Sequence, residues 1–177
     1  KSSFGQNLQV GFLYLCLLVA FFASYLFYKY GLMQNALPFV LTPIIVRAFF
    51  DSSTALFTHL ISVSCCSFFM PDLMEFLLMQ LITGIGILFS VSEMRKRQQI
   101  LNAAIIAIMF YIVIFIFFHL GFGTQELIPK FSAYLPYLIS SSLVLLATPL
   151  IFIIERLFGF ISDFKLLELC DLNQPLL

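Results

Sequence analysis

Two histidines, four cysteines and nine acidic residues are the side chains in this 177-residue chain that could bind a metal, carry a nucleophile or move a proton. Their spacing matches none of the familiar arrangements. Cys16, Cys65, Cys66 and Cys170 form no CxxC and have no His-paired spacing, and three of them lie in apolar runs where cysteine acts as a small hydrophobe. There is no Gly-x-Ser-x-Gly, no His-Glu-x-x-His, no glycine-rich phosphate loop and no His-Asp dipeptide. A six-span intramembrane serine protease would need a Gly-x-Ser-Gly nucleophile, which the chain also lacks. The expectation is a chain with no catalytic residue, no metal site and no cofactor of its own.

His59 most needs an account. It falls about two turns into an apolar run, and Ser62 lies three residues on, close to the same helix face. A polar group in lipid must find a partner. His59 therefore reads either as a packing histidine satisfied inside the protein or as an intramembrane polar sensor that responds to protons. Arg47 and Asp51, four apart, could pair as an interfacial clamp. His119, at the end of a later run, is close to water and needs no special role.

The elements that must position these residues follow from composition. The chain is 62% apolar and 10% charged, with a mean hydropathy of +1.06. A soluble domain carries charge on about a quarter of its residues. Nine basic residues balance nine acidic ones, so no field exists to attract nucleic acid. Charge at the bilayer centre costs about 2.5–3.5 kcal/mol, so the uncharged windows mark the spans. They run over residues 2–28, 30–46, 52–71, 76–92, 98–125 and 131–154. These predict an all-α, polytopic bundle of six transmembrane helices over residues 1–158, at about 8–28, 35–50, 53–70, 73–92, 99–120 and 134–157.

The basic residues orient the bundle. Lys1, Arg47, Arg95, Lys96, Arg97, Arg156 and Lys165 fall on one side, against Lys29 and Lys130 on the other. This bias predicts that both ends are cytoplasmic, with Arg95, Lys96 and Arg97 as the main topology anchor on anionic headgroups. Pro43 in span two and Pro149 in span six should kink their helices, while Pro38 and Pro136 lie near span starts. Gly84, Gly86, Ser90, Ala103, Ala107 and Ser140 to Ser142 read as close-packing helix faces. Tyr25, Tyr28, Tyr30, Tyr134 and Tyr137 read as an outer aromatic belt.

Glu155 and Arg156 mark the inner end of span six, and Gly159 supplies a helix stop. Ser162 then caps a short amphipathic helix through Asp163, Leu167 and Glu168, which Asp171, Asn173 and Pro175 end in a turn. Residues 159–177 thus read as a cytoplasmic linker. The chain starts at Lys1 rather than Met and breaks off just after this turn, so it reads as a piece of a longer protein.

The run Glu155-Arg156-Leu157-Phe158-Gly159-Phe160, then Ser162-Asp163, Leu166-Leu167-Glu168-Leu169 and Asp171-Leu172-Asn173-Gln174-Pro175-Leu176-Leu177, resembles the exit segment of a known family. These are the bacterial seven-transmembrane receptors with an intracellular HD hydrolase domain, the PgpH-type proteins. Cys170 stands where that family usually has Ser. The turn from Arg47 to Leu56 is similar to the family's span-to-span turn in its Bacteroidetes form. The resemblance implies a bacterial cytoplasmic membrane protein with an extracytoplasmic sensor domain and seven spans, six of them in this chain. It further implies a cytoplasmic HD phosphohydrolase that cleaves cyclic di-AMP with a divalent metal pair, iron or manganese. That hydrolase would lie past Leu177, and this fragment would act as sensor, anchor and transmitter. The partners implied are the bilayer, the protein's own flanking domains and, as an open option, a second copy of the chain. The alternative from the residues alone is a six-span solute-binding subunit of a membrane transporter, for which the Ala103 and Ala107 face is compatible.

Overall fold

The computed structural model describes residues 2–91, 98–121 and 131–158, and these are helical with no strand. Helix α1 (Ser2–Lys29) has no acid in its first turn and a single cation, Lys29, in its last. Most of its length is exposed and apolar, as a lipid-facing helix must be. It ends at Gly31, whose φ of 62° is open to a residue without Cβ. Leu32 N–H bonds the Phe27 carbonyl (2.9 Å) and Gly31 N–H the Tyr28 carbonyl (3.2 Å), so the last carbonyls are satisfied and the chain turns back.

The second pass corrects the helix expected over 35–50. A 3-10 turn (Gln34–Ala36) leads into an irregular stretch through Val40, and helix α2 (Leu41–Phe49) is only nine residues long. Nine residues reach about 13.5 Å, under half of a hydrocarbon core. Two prolines cause this. Pro38 precedes the helix, and Pro43 is its third residue, where a missing N–H costs nothing because first-turn donors have no helical partner. Pro43 therefore begins a helix here rather than bending one. Irregular backbone at membrane depth must be buried in protein, and Leu37, Phe39 and Val40 are buried. Three of its carbonyls are paired: that of Leu37 accepts from Ser140 Oγ (3.0 Å), and those of Pro38 and Phe39 accept from Leu41 and Thr42 N–H.

Helix α3 (Ser52–Cys66) continues into a 3-10 turn (Ser67–Phe69), and helix α4 (Leu73–Val91) returns with Glu75 in its first turn. Helix α5 (Gln98–Gly121) packs along α4, with Ala103 and Ala107 fully buried. Helix α6 (Phe131–Leu143) holds Pro136 inside it, further from the start than expected. The last pass then tightens to a 3-10 turn (Val144–Leu146) before helix α7 (Ala147–Phe158). Pro149, third in α7, cannot donate to the Leu145 carbonyl one turn back. The hydroxyls of Ser141 and Ser142 bond carbonyls of their own helix just upstream, which also distorts it.

Among the described residues, Asn7–Lys29, Ser52–Phe69, Leu73–Val91 and Tyr134–Phe158 are long and apolar enough to cross a membrane, and Asn102–Phe118 is a shorter apolar stretch. The expected all-α membrane bundle is what forms. Short α2 packs against α3, α4 and α7, and its Ile44, Val46 and Ala48 have no exposure.

Candidate functional site: a buried polar network

Helix α3 turns a polar face inward: Thr58, His59 and Ser62 are buried at helical spacing. Helix α4 answers with Gln80 and Thr83, both at 0% exposure. Between them lies Gly84. A Cβ there would collide with the His59 ring, so the absence of a side chain is what lets the imidazole lie against α4. His59 Nε2 is 3.0 Å from the Gln80 carbonyl oxygen. A carbonyl only accepts, so Nε2 carries the proton and Nδ1 is a bare acceptor.

The network extends from Gln80. Its Oε1 accepts from the Tyr111 hydroxyl of α5 (2.8 Å). The Tyr111 ring packs on Tyr137 of α6, with centroids 5.4 Å apart and planes at 36°. Tyr137 donates to Glu75 Oε1 at the head of α4 (2.7 Å) and accepts from Asn35 Nδ2 (3.1 Å). Side chains of α3 to α6 and the Gln34–Ala36 turn are thus joined. Tyr137 is 4% exposed, so the belt reading is corrected for it: its hydroxyl turns inward to a carboxylate. Tyr25, Tyr28 and Tyr30 are exposed.

Several atoms in this region have no partner: His59 Nδ1, Ser62 Oγ, Gln80 Nε2 and Thr83 Oγ1. A buried group of this kind left without any bond would cost about 1–3 kcal/mol.

The far end of the bundle is apolar and aromatic. Phe12 of α1 meets Phe49, Phe50 and Phe158 at 5.8, 6.0 and 5.4 Å between centroids. Beside it a groove of about 320 Å³ runs between α1, α2 and α7, lined by groups such as Leu15, Cys16, Ile45 and Leu150. The expected Arg47–Asp51 clamp does not form. Arg47 Nη1 reaches the Phe50 carbonyl (3.2 Å), while Asp51 caps α3 through Thr54 N–H (3.2 Å) and Thr54 Oγ1 (2.7 Å). The chain is extended at Phe50, so the four-residue helical spacing does not carry across it. The two Thr54 bonds hold the Asp51 carboxyl below its ordinary range.

Of the other residues singled out, Glu155 is half-buried and Arg156 exposed in the last turns of α7. Arg95, Lys96 and Arg97 lie outside the described residues, as do Gly159, Ser162, Asp163, Leu167, Glu168, Asp171, Asn173 and Pro175. The His119 side chain is not described. Among the described residues no three His, Cys, Asp or Glu side chains gather as a metal site would require.

Gln80, Thr83, Tyr111, Glu75 and Asn35 were not singled out from the sequence. Gln80, an amide inside the uncharged run 76–92, with Thr83 and Gly84 three and four residues on, was the available signal.

The family described as 7TM receptor with intracellular HD hydrolase matches residues 1–162. The chain belongs to that family. Neither the curated proteins nor the solved structures contain a significant match. As a member of the 7TM receptor family, the chain is a multi-pass membrane sensor module linked to an intracellular HD hydrolase. The match ends at Ser162, so most of the exit segment lies beyond it.

Proposed function

We propose that this chain senses at the membrane and transmits to a C-terminal cytoplasmic HD phosphohydrolase that cleaves cyclic di-AMP. The observation that carries the reading is the last pass. It is divided at Val144–Leu146, and its lower half, α7, packs on α2 and leads toward residues 159–177. A half-helix can shift without dragging α6, and a signal needs two such arrangements with different ligand affinity. Family membership favours this receptor over the transporter subunit. In this reading both ends of the chain are cytoplasmic in a bacterial inner membrane, an extracytoplasmic sensor domain precedes the bundle, and the chain itself hydrolyses nothing. In this reading the iron or manganese pair belongs to the HD domain.

The test is cyclic di-AMP hydrolysis by the full-length protein in membranes, with and without a Gly-Ser-Gly-Ser insertion after Gly159. The insertion should preserve basal hydrolysis and abolish its dependence on the membrane region. An insertion variant that responds like the parent would reduce the bundle to an anchor, and absence of hydrolysis in the parent would remove the substrate assignment. External labelling of single cysteines should modify a site near Gly123 and not one near Gln98; the opposite pattern overturns the orientation.

A further inference from the structure

His59, Gln80 and Thr83 share one seam. Gln80 and Thr83 are a turn apart on α4, and His59 of α3 lies over that turn, on the Gln80 carbonyl and against Gly84. All three have 0% exposure, and each ends in a polar atom with no partner in the protein. Their remaining needs are set by the bonds already made. Nδ1 of His59 is an acceptor, because its other nitrogen carries the proton to the Gln80 carbonyl. The Gln80 amide has its oxygen committed to Tyr111, leaving an NH2 group that only donates. The Thr83 hydroxyl can do both.

We infer that the α3–α4 seam is a hydration site, with buried water completing the bonds of His59, Gln80 and Thr83. A cation would meet the Gln80 amide donors, and an anion would meet the His59 lone pair. A neutral molecule that both donates and accepts suits all three, and water is the one small enough to lodge among side chains with no exposure. Buried waters in proteins take about three hydrogen bonds each to groups of this kind. Such water gives the polar side chains of α3 and α4 hydrogen bonds in a region where lipid offers none.

Synchrotron hydroxyl-radical footprinting of the full-length receptor in nanodiscs tests this, because radicals formed on bound water oxidise adjacent side chains wherever they are buried. Phe12, 1% exposed and among aromatic rings, is the dry reference. With rates normalised to the unfolded protein, His59 is expected to label at least about fivefold faster than Phe12. The near-isosteric Thr83→Val should lower His59 labelling severalfold while Phe12 is unchanged. Equal labelling of His59 and Phe12 in the parent overturns the site, without reliance on any variant. Undiminished His59 labelling in a folded T83V protein overturns the role of Thr83 and with it the three-residue site.

Discussion

The two ends of the bundle are built on different physics. Around His59, Gln80, Tyr111 and Tyr137 the helices meet through directional bonds of 2.7 to 3.0 Å. Around Phe12, Phe49, Phe50 and Phe158 they meet through aromatic rings at 5.4 to 6.0 Å. Directional bonds fix register, since a helix that slides by one residue loses them all. Ring contacts fill space and tolerate small rotations. The two half-helices, α2 and α7, each place Thr-Pro at their second and third positions, and both end at the aromatic junction. The difference teaches that the polar network specifies which helices pair, while the aromatic junction carries more of the packing energy.

The largest effect should therefore come from the apolar end. Phe12→Ala deletes a ring that touches three others and leaves a cavity, with an expected cost of about 3–5 kcal/mol. Thermal unfolding of the purified protein followed by size exclusion should show it. If F12A melts like the parent, the junction is not where the energy lies. Gly84→Ala comes next, because its methyl group falls on the His59 ring. Overpacking of this kind costs about 1–3 kcal/mol. Gly11→Ala is the control, since a Cβ at Gly11 meets nothing within 4 Å and the helix there should gain slightly. Equal behaviour of the two alanine variants would break the comparison.

Tyr111→Phe keeps the ring on Tyr137 and removes the hydroxyl's bonds to Gln80 and Ser140. Interhelical hydrogen bonds in membranes average about 0.6 kcal/mol, with a maximum of about 1.7. Y111F should therefore lower the melting temperature by only a few degrees, well short of F12A. A larger loss than F12A would place the energy in the polar network and reverse the assignment of roles.

Much of this arrangement was legible in the residues, and the reasons for the gaps are physical. Uncharged windows report the cost of charge in lipid, which is local, so the long helices α1, α3, α4 and α5 follow from them. The second pass is different. Its broken form needs the Leu37 carbonyl satisfied by Ser140, which lies 103 residues away, and no local pattern announces that partner. Pro38 and Pro43, five apart, were the visible warning that one helix could not hold both. Tyr137 illustrates the same limit. A tyrosine near a span end suits an interfacial belt equally well, and only Glu75 and Asn35 decide that it turns inward. His59 stood out as a buried polar group in need of a partner. That the partner is a backbone carbonyl depends on Gly84 allowing close approach, which spacing alone cannot state.

The smallest effect lies at the rim, where Asp51 joins the two physics by ending the α2 turn and starting α3. Its carboxylate accepts from the hydroxyl and the N–H of Thr54, the hydroxyl bond being the larger cause of its lowered pKa. A carboxyl held lower in the folded state than in the unfolded one binds its proton later on acidification. Its contribution is thus complete above the ordinary value of 3.8 and is lost as pH falls through the folded value. Protonation removes the charge at the helix N-terminus and weakens the cap at the same time. Because the group is fully exposed, water and salt screen the effect to a small one. In acid titrations of melting temperature, the parent should decline more steeply below pH 4 than Asp51→Ala, and the two should converge at the acid limit. Parallel curves would show that Thr54 bonds to Asp51 contribute nothing beyond local geometry.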